Sequence, residues 1–294
     1  MNATIESDQL KIIASTSGAE LQSIKETSSD LEYLWQGDVS HWGRRSPVLF
    51  PIVGRLKDDK FTFEGKEYSL GQHGFARNKD FELVERSAHH LMYHLKADDE
   101  SKKVYPFDFE LSITYTLQGD RLTVSYMVEN PSDTDILFSI GAHPAFNCPV
   151  REGEKRSDYK LVFRDEEVLA RQIIQSGIRT GKRVSVLERG KELKITDDLF
   201  DDDALIFDDV KSGEVSINRG SDSIITVIFD EFEYLGIWSK SSKSSFVCIE
   251  PWLGIADHIS HDGDIAKKEG IVELRPKEVF TAQYHMVFNS LTAI

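Results

Sequence analysis

The sequence predicts an all-β protein, a large antiparallel β-sandwich, on three observations. Apolar and polar residues alternate with period two through most of the chain, and short turn signals separate the alternating runs. Sustained apolar spacing at i, i+3, i+4, i+7 is nearly absent. The elements follow in order. Residues 61–63 (FTF) and the segment around Tyr68 join through Glu64-Gly65-Lys66 as a hairpin. Phe109, Leu111, Ile113, Tyr115 and Leu117 alternate with Glu110, Ser112, Thr114 and Thr116, which puts the two sets on opposite faces of a strand. Residues 122–128 (LTVSYMV) repeat the pattern, and Gln118-Gly119-Asp120 between the two runs is a turn. Residues 165–174 (DEEVLARQII) read as a short helix. Residues 224–229 (IITVIF) are apolar on both faces, as expected of a strand between layers. Near the C-terminus Phe280, Ala282, Tyr284, Met286 and Phe288 alternate with Thr281, Gln283, His285 and Val287, a last long strand. The polar stretches 151–158 and 240–245 read as surface loops. No linker rich in Pro, Gly or Ser divides the chain and no repeat is evident, so residues 1–294 read as one domain, a size all-β domains reach.

Charge narrows the partners. Thirty-five basic residues against fifty acidic ones leave a net charge of −15, which repels nucleic acid and anionic membrane surfaces. An anionic small molecule would need its own local positive charge. The N-terminus carries neither a basic region nor an apolar stretch, and the longest apolar runs are far too short to span a bilayer. The expected location is the cytoplasm. Cys148 and Cys248, without a pairing pattern, read there as small buried residues in a reduced protein.

Three segments are unlike strand filler. They are 47–61 (PVLFPIVGRLKDDKF) with 71–77 (GQHGFAR), 141–149 (GAHPAFNCP) and 248–257 (CIEPWLGIAD). Each sets a titratable residue among Gly, Pro and aromatic residues. Gly lets the backbone approach a ligand, Pro fixes the path, and aromatic faces stack on sugar rings. Val247, Ile249 and Trp252 around Glu250 make an unpaired ionised group there costly, which favours a functional reading of that carboxylate. Asp203 lies in an acidic run with Asp201, Asp202, Asp208 and Asp209, the usual composition of a solvated face. His89, His90 and His94 sit in a charged strand-like segment and read as exposed. His258 and His261 with Asp257, Asp262 and Asp264 complete no zinc or calcium signature, so no metal and no cofactor is expected.

GQHGFAR, GAHPAFNCP and CIEPWLGIAD, taken with GAELQSI and YLWQGD near the start and KEGIVELRPKEVF near the end, resemble the aldose 1-epimerase (galactose mutarotase) superfamily, and its short LacX-type bacterial branch in particular. The resemblance implies a β-supersandwich and interconversion of sugar anomers by acid–base ring opening. It places the acid on His143, the base on Glu250 and a second substrate-binding histidine on His73. It also implies sugar contacts from Arg55 and from Asp203. Trp252, beside Pro251 in the CIEPW segment, could stack on a pyranose. Arg77 resembles the arginines that hold a phosphate in the hexose-6-phosphate mutarotase branch. The implied partner is a small-molecule sugar or sugar phosphate, bound by a monomer or a homodimer. A carbohydrate-binding or regulatory protein on the same fold is the alternative, and the presence of an acid–base pair favours the enzyme.

Overall fold

The computed structural model describes residues 1–290. Its largest sheet has nine antiparallel strands, in the order Ile178–Lys194, Tyr159–Gln175, Glu214–Arg219, Asp222–Ile228, Val279–Phe288, Arg121–Glu129, Glu110–Gln118, His90–Lys96 and Glu82–Arg86. The alternation read from the sequence is what seats these strands. Leu122, Val124, Tyr126 and Val128 are buried while the residues between them are partly open, and Val124 lies opposite both Tyr115 and Tyr284. The hairpin at Gly119, which takes φ +59°, and the one between Lys60–Phe63 and Lys66–Ser69 form as expected.

A second sheet runs Leu205–Phe207, Tyr234–Trp238, Phe246–Leu253, Ile140–Ala142 and Val48–Leu49, with Ala145–Asn147 also paired to Phe246–Leu253. Aromatic side chains close the sandwich between the layers. Phe146 meets Phe288 at 6.4 Å between ring centroids, and Phe50 meets Phe109 at 4.9 Å. Asn2–Glu6, Leu10–Ser15 and Leu21–Glu26 form a smaller three-stranded sheet. One connected cluster of buried side chains runs from Ala3 to Phe288.

Residues 165–174 are not a helix. They belong to the Tyr159–Gln175 strand, in which Glu167, Leu169 and Arg171 are buried and Glu166 and Val168 exposed, a period of two. The decisive local signal is Ser176-Gly177. Both residues take positive φ (+52° and +81°), and Gln175 pairs with Ile178, which makes a two-residue hairpin with the twist that favours strand pairing. The α-helix present among the described residues is Asp99–Val104, with Asp98 capping it by accepting the Ser101 N–H at 2.6 Å. Residues 224–228 lie in the Asp222–Ile228 strand as read, but one face is more open than expected: Ile224, Ile225 and Val227 are buried, with Phe229 just beyond, while Thr226 and Ile228 are partly open. The two polar stretches are less superficial than their composition suggests. Arg156 is 7% exposed and donates to Ser239 Oγ and to the carbonyls of Ser241 and Ser244, so it ties the loop at 151–158 to the one at 240–245.

Candidate functional site

Phe246–Leu253 carries the centre of the site. Cys248, Glu250 and Trp252 alternate along it and therefore share one face, and all three are buried. His143 follows the neighbouring Ile140–Ala142 strand and projects onto the same face, with Nε2 3.2 Å from Glu250 Oε2. Glycines make room for the indole. A Cβ on Gly141 would stand 2.7 Å from Trp252 Cδ1, and one on Gly236, opposite Glu250, would overlap its six-membered ring.

The first and second motifs meet through two reciprocal hydrogen bonds. His73 N–H donates to the Gly54 carbonyl at 2.8 Å, and Gly54 N–H donates to His73 Nδ1 at 3.1 Å. Because Nδ1 accepts, a neutral His73 carries its proton on Nε2 and is a fixed donor. Its backbone takes φ +65°, the left-handed region, where the Gln72-His73-Gly74 turn brings the ring towards His143 at 5.8 Å.

A cavity of about 370 Å³ opens over these groups. Its walls include His73, Arg77, His143, Asp203, Glu250 and Trp252, so six of the seven residues singled out in the sequence converge on one space. Asp203 stands at the exposed side with φ +78°, its Oδ1 accepting the Ala204 N–H. Arg77 is half-buried. It donates from Nη2 to the Gln72 carbonyl, and its Nε has no protein partner. Arg55 is the exception. It makes a two-pronged ion pair with Asp59, at 2.7 and 2.6 Å, and donates to the Ser176 carbonyl at 3.0 Å. The structure places it behind the hairpin turn, outside the cavity lining, bracing Gly177, which does line it.

Two tryptophans complete the walls and escaped the sequence reading. Trp42 stacks on the His143 ring at 4.7 Å and 25°, and Trp238 meets that ring edge-on at 5.7 Å. The signal available for them was weak, an aromatic residue beside glycine and cations in HWGRR and GIWSK. The hairpin misread as helix contributes Ile174 and Gly177.

Burial governs the electrostatics. It pushes the Glu250 carboxyl well above the usual range; the Trp252 indole N–H beside it acts the other way without closing a hydrogen bond, and the Asp203 charge adds to the rise. His143 is pulled down from 6.5 to about 3 by burial first and the Arg77 charge second. His73 is also held well below its ordinary value, by burial and then by His143 and Arg77. Arg77 itself is lowered to about 10 by burial and the neighbouring Arg44. Glu250 Oε2, His143 Nδ1 and Trp252 Nε1 have no hydrogen-bond partner in the protein: the 3.2 Å approach of His143 Nε2 to Oε2 is an ion-pair distance whose angle does not complete a hydrogen bond, and a small turn of either side chain would complete it. Buried polar atoms left open in this way, gathered in one cavity, fit a polar ligand that supplies the missing partners.

The His258, His261 and Asp262 group lies apart, in a second cavity of about 390 Å³ with Arg179 and Glu269. Asp257 is committed there to Lys268 at 2.9 Å, both side chains 1% exposed, and to the Lys57 N–H. With Arg179, which donates to the Ala256 carbonyl, and Lys268, which donates to that of Ile255, this pair fixes the loop that floors the first cavity.

Known proteins resemble this chain in sequence and in fold. The family model for aldose 1-epimerase matches residues 1–272. Protein LacX of Lactococcus lactis subsp. lactis is 34% identical, over 97% of this chain and 98% of its own length. A crystal structure of a galactose mutarotase related enzyme from Lactobacillus acidophilus superposes with a TM-score of 0.94 at 39% identity, covering 99% of this chain and 98% of that one. A galactose mutarotase-like protein from Lactobacillus casei gives 0.91 at 28% identity, over 98% of this chain and all of the other. The galactose mutarotase of Sus scrofa is 25% identical over 182 residues, 56% of this chain. The strands form the galactose mutarotase-like sandwich, and the chain belongs to the aldose 1-epimerase family.

Proposed function

We propose that the protein interconverts the α and β anomers of an aldose, or of its phosphate, with His143 and Glu250 as the acid–base pair. The observation that carries this reading is their 3.2 Å approach inside a cavity walled by tryptophan. The anomeric hydroxyl and the ring oxygen sit on the same carbon, so two adjacent proton-transfer groups reach both at once. Burial favours neutral imidazole and protonated carboxyl in the empty site. Transfer of that proton from Glu250 to His143 gives imidazolium and carboxylate without changing the net charge. The carboxylate then takes the proton of the C1 hydroxyl while His143 protonates the ring oxygen and the C1–O bond opens. The pair is now back in its neutral form. Rotation about the C1–C2 bond and the reverse steps close the ring on the other face. Trp42, stacked on His143, favours the charged imidazolium through its π face. His73 Nε2–H and Asp203 would hold sugar hydroxyls and Trp252 would meet an apolar ring face, a reading supported by all three lining the cavity.

A second reading concerns the substrate. Arg77 with its free Nε and Lys240 both line the cavity, which favours an anionic group on the sugar. The test is polarimetric relaxation of pure anomers over a panel of free and phosphorylated aldoses. Acceleration of at least one is expected, and no acceleration of any would leave a carbohydrate binder on the same fold. Arg77→Ala should weaken a sugar phosphate far more than the free sugar. Equal losses for both would remove the phosphate from the reading.

A further inference from the structure

Cys248 has no part in the proton transfers, yet it stands on the same strand face as Glu250, two residues away, fully buried. One ligand atom each from His143, Cys248 and Glu250 lies within 4.8 Å of the others. We infer that these three residues form a binding site for a borderline divalent transition cation, zinc above all, whose occupation takes both members of the proposed acid–base pair out of use.

The donor set is imidazole nitrogen, thiolate sulfur and carboxylate oxygen, the mixture zinc accepts in tetrahedral sites. With bonds of about 2.0–2.3 Å, ligand atoms around such a centre stand about 3.3–3.8 Å apart. His143 Nε2 and Glu250 Oε2, at 3.2 Å, are already there. The sulfur has to close a remaining gap of up to about 1–1.5 Å, within reach of a cysteine rotamer and a small strand shift. Charge fits the burial. A doubly positive ion with a thiolate, a carboxylate and a neutral imidazole sums to zero, so the cavity takes in no net charge. Protons carried by the thiol and carboxyl leave to solvent through the open side of the cavity. His143 and Glu250 line that cavity while Cys248 lies beneath it, so the ion would enter from the cavity and take water or a hydroxyl as its fourth ligand.

Two unpartnered atoms shape the expectation. Glu250 Oε2 is buried with no hydrogen bond and offers its lone pairs. His143 Nδ1 also lacks a partner, and a ligating histidine without an outer hydrogen bond is typically weaker by about 10–100-fold. The site is thus a reversible trap, weaker than a structural zinc centre. Its inhibitory consequence rests on the proposed function, but binding itself does not.

The experiment is a titration of the full chain with Co²⁺ alone, read by thiolate-to-cobalt charge-transfer absorption and by visible d–d bands, then back-titration with Zn²⁺. One cobalt per chain with a sulfur band that zinc abolishes is expected. Cys248→Ser should lose that band, and Glu250→Gln should keep it with affinity lowered by at least about tenfold. No sulfur band at saturating cobalt, or a band undiminished in Cys248→Ser, would overturn the assignment. Should Cys248→Ser fail to fold by circular dichroism, Glu250→Gln and His143→Asn decide it, since unchanged cobalt affinity in both contradicts the site. No turnover is measured, so this result stands apart from the anomerase reading.

Discussion

At the scale of single residues, the site is defined by groups whose burial and chemistry disagree. Glu250 holds its proton in the folded chain to a pH above the ordinary 4.5, so its contribution to stability is whole below that pH and is lost as pH rises towards the folded value. His143 runs the other way. Its folded value near 3 against 6.5 unfolded makes its contribution whole above 6.5, and it is lost as pH falls towards 3. His73 adds to the acid-side loss. Glu250→Gln should therefore melt higher than the parent at about pH 8, with the gain shrinking as pH falls towards 4.5 and gone below it; each kcal/mol recovered is worth roughly 2–4 °C. Thermal melts across pH check this, and a variant less stable than the parent at every pH would refute it. Trp42→Leu removes the face that favours imidazolium; turnover should fall by roughly 2- to 30-fold with little change in fold. Unchanged turnover would show that the stacking is packing alone. His73, His143 and Glu250 were legible because each sits in a Gly- or Pro-rich motif. Trp42 and Trp238 were not, since a lone tryptophan carries no periodicity and its role comes from which loop the fold sets beside His143.

Elements decide how accurately those residues are held. The alternating runs at 109–117, 122–128 and 280–288 became strands as read, because a strict period of two admits one buried face. The 165–174 reading failed because acidic residues followed by leucine and alanine also suit a helix, and the Ser176-Gly177 turn that settles the pairing lies just beyond. That error had a functional cost, since the hairpin supplies a wall of the cavity through Ile174 and Gly177. Arg55 shows the converse: the motif located it beside the site, but its pairing with Asp59 turns it to the support of the hairpin. Gly236 tests the glycine slot. Gly236→Ala should push the Trp252 indole out of place, costing about 1–3 kcal/mol and weakening sugar binding more than it slows the bound complex. A KM and a tryptophan emission spectrum identical to the parent's would contradict the slot.

On the scale of the whole molecule, the two main sheets share one connected core, and a buried Lys268–Asp257 pair locks the floor of the cavity against it. We propose that the chain unfolds as one domain, so far-ultraviolet and near-ultraviolet transitions should coincide; two separated transitions would divide it. Lys268→Met leaves Asp257 buried with the Lys57 N–H but without its counter-charge, and should cost about 3–5 kcal/mol, read as a lower denaturant midpoint. The net charge of −15 makes the cationic side chains at the cavity, Arg77 and Lys240, the local exception that an anionic sugar would find. Proton transfer by His143 and Glu250 is tested by the relaxation of a pure α-anomer of the preferred sugar, with parent and Glu250→Gln protein compared after subtraction of the buffer rate. The amide keeps the shape and removes the proton-transfer function, so binding should hold within about tenfold while turnover falls about 10²–10⁴-fold. A Glu250→Gln protein that relaxes the sugar at the parent rate would contradict the account.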